Sequence, residues 1–282
     1  MTRGDEAYRF GYEPEELTRL RDQHRVWAED NARFLVRAGF GPGDTVVDLG
    51  CGPGLTTLDL ARVVGQTGRV IAVDRDGEQS LPLLRERIEA AGLSNVVTRI
   101  AELEDFDLPA GSVDGIYGRW VLMYLAESEA LSLVRRAAGW LRPGGACALT
   151  EICNYRHMHV QPACACLPAI ADALQRSVAD GTGANPEIGN VLPGVLVEAG
   201  LDLELNVVTK AVRATTPDWS WPDTLFRDHL PALVEDGYLD RDDLDAFVLE
   251  WESLSRDPGA VFFASPMLEM IGRLRAVEVD HR

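Results

Sequence analysis

Lysine is almost absent from this chain: Lys210 is the only one in 282 residues, and every other Lys or Arg position is arginine. We read that bias as the trace of a GC-rich genome and not as chemistry. Positive charge is scarce altogether, with 27 Lys and Arg against 45 Asp and Glu, for a formal net charge of -18. Such a balance opposes a nucleic-acid partner, because binding a phosphate backbone takes clustered Lys and Arg. An acidic protein suits a cationic ligand, although solubility alone accounts for most of the charge. No apolar run reaches the ~18 residues that a membrane helix needs. The start of the chain is polar and charged, so no signal peptide is expected. Cysteines are few and odd in number, five in all, which without a secretory signal points to reduced thiols and a cytoplasmic protein. The length suits a single compact α/β domain with insertions.

Against this background one stretch stands out, Val46-Val47-Asp48-Leu49-Gly50-Cys51-Gly52-Pro53-Gly54. It is an apolar strand running into a turn with three alternate glycines, where the backbone can bend sharply and a ligand can come close. Leu55 to Val64 reads as a helix, and Arg69 to Val73 as a second strand that ends at Asp74. A strand, a glycine turn, a helix and an acid about twenty residues past the last glycine form the nucleotide-binding arrangement of open α/β sheets. The dinucleotide fingerprint is G-x-G-x-x-G. Here the third glycine comes one place early.

The run D-L-G-C-G-P-G resembles motif I of the class I S-adenosylmethionine-dependent methyltransferases, whose loop wraps a methionine moiety without phosphate. Further segments carry the resemblance onward. Val96 to Asp105 is similar to the third strand and the adenine-reading acidic segment. Ser112 to Leu122 is similar to the fourth strand and its turn, and Leu141-Arg142-Pro143-Gly144-Gly145 to the turn before the fifth strand. The N-terminal Tyr8 to Gln23 and the stretch Asn185 to Pro193 resemble the ubiquinone-biosynthesis branch, which acts on small molecules. The resemblance implies S-adenosylmethionine as cofactor, held by Tyr8, Gln23, Asp48, Gly50, Cys51, Gly52, Asp74, Arg75, Glu102, Leu103, Gly118 and Arg119. It implies a Rossmann-like sheet of seven mostly parallel strands with helices on both faces and an antiparallel last strand. The implied activity is methyl transfer to a small molecule, at a hydroxyl in preference to an amine, and the aromatic residues Tyr8, Phe10, Tyr12, Trp219 and Trp221 suggest an acceptor with a hydrophobic or aromatic body. A cofactor-binding protein of the same fold, silent or using it for rearrangement, is the alternative, and an NAD-dependent oxidoreductase a weaker one.

Along the chain the organisation is expected to be an N-terminal helical cover (1–38), a cofactor-binding core (39–152), and a region of substrate-side helices, the last two strands and a helical cap (153–282). Pro14 to Arg37 forms a helix with Leu17, Leu20, Trp27, Phe34 and Leu35 near one apolar face. Residues before Pro14 are expected to close over the cofactor. Helices are expected at 162–179, 188–199 and within 222–255, and strands at 202–212 and 267–274. Ligands of open α/β sheets lie outside the strand ends, so His157, His159 and Glu151, at or after the fifth strand, are candidate bases. Cys153, His157, His159, Cys164 and Cys166 cluster in sequence, but their spacings do not match paired zinc-ligand patterns, and no metal is expected. Trp219 and Trp221 would either face a planar substrate or pack the cap.

Overall fold

The computed structural model describes residues 11–180 and 183–276. The elements, in chain order, are α1 (Pro14–Ala38), β1 (Thr45–Leu49), α2 (Leu55–Val64), β2 (Arg69–Asp74), α3 (Ser80–Ala90), β3 (Val96–Ile100), β4 (Val113–Arg119), α4 (Glu127–Ala138), β5 (Leu141–Ile152), β6 (His159–Gln161), α5 (Leu167–Ala179), α6 (Leu192–Glu198), β7 (Asp202–Val208), β8 (Ala211–Arg213), α7 (Ser220–Glu235), α8 (Arg241–Arg256), β9 (Val261–Phe263) and β10 (Met267–Arg273). They group into two compact units. Of the described residues, the larger comprises 29–153, 183–208 and 267–276, and the smaller 11–28, 154–180 and 209–266.

The larger unit is built on a seven-stranded sheet of order β3-β2-β1-β4-β5-β10-β7. β1 pairs in parallel with β2 and β4, β2 with β3, and β4 with β5, whereas β10 runs antiparallel to both β5 and β7. The central strands are apolar on both faces, as parallel strands covered by helices must be; Val46, Val47, Val70, Val73 and Ile116 are fully buried. Phe34, Leu35 and Ala38 of α1 pack with Leu60, Ala61 and Val64 of α2 on one core, and Leu81 and Leu84 of α3 on another with Cys51 and Ala72. At roughly 25 cal/mol per Å² of apolar surface removed from water, such layers dominate the stability of the sheet. Strand order reverses between β1 and β4, and that reversal opens a crevice at their carboxyl ends.

The smaller unit differs from the sequence reading in a way the residues explain. The strand expected at 202–212 divides: β7 stays in the large sheet to Val208, while β8 joins β6 and β9 in a three-stranded antiparallel sheet of order β6-β9-β8. At the break, Thr209 Oγ1 donates to Ala264 O and Ala264 N to Lys210 O. The helix expected from residue 162 begins only at Leu167: Gln161 is still held in β6 opposite Val261, and Ala165 N donates to the Glu250 carboxylate. The helix expected over 188–199 shortens to Leu192–Glu198 after a 3-10 turn. Trp219 and Trp221 are buried, so their use is packing. Trp219 stacks on Trp251 at 4.6 Å, and Phe226 meets Phe247, Trp251 and Phe262 edge-on. Each such pair contributes about 0.5–1.5 kcal/mol beyond the area buried.

Candidate functional site

The loop after β1 turns on three glycines with positive φ: +60° at Gly50, +50° at Gly52 and +82° at Gly54. Two of them are also excluded from carrying a side chain by their neighbours. A Cβ on Gly50 would lie 2.1 Å from Val121 Cγ2, and one on Gly54 2.1 Å from Leu84 Cδ1. The loop is tied to β2 by Cys51 N, which donates to Val73 O at 2.9 Å. Asp74, at the end of β2, accepts from Gly52 N on one carboxylate oxygen (2.8 Å) and from Asp76 N on the other (2.9 Å). Burial raises its pKa, and these two amides work against that rise.

Asp48 lies beneath the loop, fully buried, and accepts from Thr57 Oγ1 of α2 at 2.6 Å. Desolvation pushes its pKa up to about 7 although the hydrogen bond from Thr57 and the Arg119 charge oppose it. Leu49 of β1 lies opposite Val73 on one side and Gly118 on the other, which brings Asp48, the glycine loop, Asp74, Gly118 and Arg119 to neighbouring strand ends. Gly118 leaves no slack, since its Cβ would sit 3.1 Å from Leu149 Cδ2. After β3, Glu102 is exposed and Leu103 buried; Glu102's pKa is raised by desolvation and countered by the charge of exposed Arg75. Arg136 of α4 fixes this segment by donating to the carbonyls of Leu103, Glu104 and Phe106 at 2.9–3.1 Å. No motif signals that arginine, because its partners are backbone atoms some thirty residues away.

The remaining candidates fall elsewhere. Tyr8 and most of the segment before Pro14 lie outside the described residues. Gln23, His157 and His159 belong to the smaller unit. The Gln23 carboxamide oxygen accepts from Arg19. His157 ends an exposed 3-10 turn, and His159 is exposed with its ring stacked on Phe263 at 4.5 Å.

Residues 46–145 match the family described as methyltransferase domain. These residues carry a methyltransferase domain. Among its relatives, phosphoethanolamine N-methyltransferase 1 of Triticum aestivum is 34% identical over 116 residues, covering 40% of this chain and 22% of the relative. Demethylmenaquinone methyltransferase of Symbiobacterium thermophilum is 33% identical over 121 residues, covering 42% of this chain and 47% of the relative. The chain thus spans about a fifth to a half of the length of these curated relatives. The YcgJ protein of Bacillus subtilis has the same fold, with a TM-score of 0.61 at 16% identity, covering 88% of this chain and 99% of that one. The residues fit the domain's cofactor, S-adenosylmethionine: a loop that turns on three positive-φ glycines is tied through Gly52 N to the strand-end acid Asp74, next to buried Asp48. Among the described residues, no helix is long and apolar enough to cross a membrane.

Glu151, the third candidate base, closes the methyltransferase domain's β5 in full burial. Its Oε1 accepts from Val121 N at 3.1 Å and Leu122 N at 2.8 Å. Desolvation raises its pKa to about 8, against the opposing pull of those amides. A raised carboxyl favours the fold while protonated. Its contribution is complete below the ordinary carboxyl range near 4 and is lost as pH climbs through the folded value. The thermal midpoint of the ligand-free protein is therefore expected to fall between pH 7 and pH 8.5, through Glu151 and, in smaller part, Asp48. At 1.36 kcal/mol per pKa unit the loss is on the order of 1–2 kcal/mol, a few degrees for a chain of this size. His229, whose pKa is lowered by burial, stays neutral in that window. Differential scanning calorimetry checks this, and Glu151→Gln should remove the larger part of the slope.

Proposed function

We propose that this protein transfers the S-methyl group of S-adenosylmethionine to a small-molecule nucleophile. The observation that carries the reading is the Gly50–Gly54 loop pinned by Gly52 N to Asp74. That arrangement leaves Asp74, already holding two amides, with free lone pairs at the strand end where ribose hydroxyls of the cofactor would donate. Asp48, Cys51, Arg75, Glu102, Leu103, Gly118 and Arg119 complete the proposed cofactor contacts of this unit.

Bound there, S-adenosylmethionine would supply an electrophilic methyl group: an acceptor's lone pair would form the new bond to carbon, the C–S electron pair would stay on sulfur, and the acceptor proton would leave to a base or to water. Holding the acceptor about 3 Å from the methyl supplies much of the acceleration. His157 and His159 are our candidate proton acceptors for a hydroxyl substrate, being exposed, whereas Glu151 is not. The acceptor in this proposal is a small molecule with an apolar or aromatic body. All five cysteines are free thiols, which suits a cytoplasmic enzyme.

Isothermal titration with S-adenosylhomocysteine tests the reading, followed by mass spectrometry of candidate acceptors for the gain of one methyl. Asp74→Ala is expected to weaken cofactor binding about ten- to a hundredfold, since a hydrogen bond to a charged group is worth about 1.5–3 kcal/mol and each 1.4 kcal/mol is a decade. An unchanged dissociation constant in that variant, or binding of NADH instead, would remove the assignment.

A further inference from the structure

Two non-glycine residues among those described hold positive φ, and one of them, Trp120 at +54°, lies directly after β4 at the crevice between β1 and β4. A bulky side chain in the left-handed region costs energy and persists only where its surroundings over-determine it. The surroundings here come from several directions. Trp120 N donates to Thr150 O at 2.9 Å, and its indole Nε1 points at Met267 Sδ at 3.2 Å. The Arg119 guanidinium lies 4.6 Å above its ring. Glu151 then takes the next two amides, Val121 and Leu122, on a single oxygen. The held turn reaches the glycine loop directly, because Val121 fills the space a Gly50 side chain would need.

The other oxygen of Glu151, Oε2, is buried with no hydrogen-bond partner. A buried carboxyl half satisfied is costly, and an apolar residue would fill the same place at lower cost. Its retention therefore asks for a use, and the two amides supply one. We infer that Glu151 is a positioning residue that clamps the Arg119–Trp120–Val121 turn against the glycine loop, and so sets cofactor affinity without touching the cofactor. This rests on the proposed cofactor site, and it takes Glu151 out of the set of bases.

The test is calorimetric titration of S-adenosylhomocysteine into five proteins: wild type, Glu151→Met, Glu151→Gln, Trp120→Gly, and Glu151→Met with Trp120→Gly. Glu151→Met removes the acceptor and should weaken binding roughly tenfold or more, while Glu151→Gln keeps an oxygen for both amides and should restore affinity to within about threefold. Glycine adopts φ +54° without strain and needs no clamp. In the Trp120→Gly background the Glu151→Met penalty should therefore shrink below about threefold, whereas a merely structural role for Glu151 would leave the two effects additive. A folded Glu151→Met that binds like wild type, a Glu151→Gln that loses tenfold, or an equal penalty in both backgrounds each overturns the inference. Should Glu151→Met not fold, the Gln variant decides. Failure of the wild type to bind S-adenosylhomocysteine would instead strike at the proposed function.

Discussion

Gly52→Val is expected to abolish S-adenosylhomocysteine binding, a loss of more than about a hundredfold, in a protein that still folds. Gly52 holds φ +50° at the middle of the loop, and its N–H donates to Asp74 at 2.8 Å. A β-branched residue is an outlier in that region, because its Cβ crowds the following carbonyl. The loop must therefore move, and moving it breaks the bond that joins the glycine turn to the strand-end acid. Two parts of the proposed cofactor cradle are lost together. Gly50 and Gly54 are less informative positions, because their missing side chains make room for Val121 and Leu84, so substitution there strains the core first. Gly52→Ala, with a smaller intrusion, should fall between wild type and valine. Titration calorimetry reads the affinity and a thermal melt controls for the fold. Binding by a folded Gly52→Val within about threefold of wild type would falsify the role given to this loop.

Local and periodic features of the larger unit were legible in the sequence. Motif I predicts β1, the turn and α2 because glycine, apolar periodicity and strand-end acids act within a few residues of one another. The seven-stranded sheet and its antiparallel β10 follow from the family resemblance, and the register confirms them. What the sequence hid depends on contacts made far along the chain. Arg136 fixes the Glu102–Phe106 segment through carbonyls, which carry no residue signature. β8 and β9 hold three residues each, too short for a period to register, and they are strands only because β6, β8 and β9 meet. Glu151 reads from sequence as a candidate base at the end of the fifth strand. Its burial and its two amides come from the turn after β4, some thirty residues earlier.

The same limit appears in α1, whose first turns are expected to bury Leu17 and Leu20. The structure leaves these two half-buried and buries Glu16 and Arg19 instead, each at 4% exposure. Apolar periodicity misses such a face, since charged residues enter a core only when they satisfy one another. Arg19 does so with a fork, Nε to Glu16 Oε2 and Nη2 to Glu16 Oε1, both at 2.6 Å, while His229 Nε2 of α7 approaches Glu16 Oε2 at 3.3 Å. Burial alone would raise the Glu16 pKa, but Arg19 and His229 outweigh it and bring it down to about 2. Its stabilising share is therefore complete above the ordinary carboxyl range and is lost as pH falls toward 2, the opposite sense to Glu151.

Arg19→Met is expected to destabilise the protein by about 3–5 kcal/mol, because it leaves Glu16 charged and buried without its main partner. For a chain of this size that lowers the thermal midpoint by roughly 6–20 °C. Replacing both partners, as Glu16→Met with Arg19→Met, should recover most of the loss, since a matched apolar pair avoids the desolvation of either charge. Four of the six tryptophans, Trp27, Trp219, Trp221 and Trp251, lie in the smaller unit with this network. Urea unfolding followed by tryptophan fluorescence therefore reads the event where it occurs, and far-ultraviolet circular dichroism reads the whole chain beside it. A shift under about 1 kcal/mol for Arg19→Met would mean that Glu16 finds water or takes a proton at little cost, and that the buried pair does not hold α1 to α7.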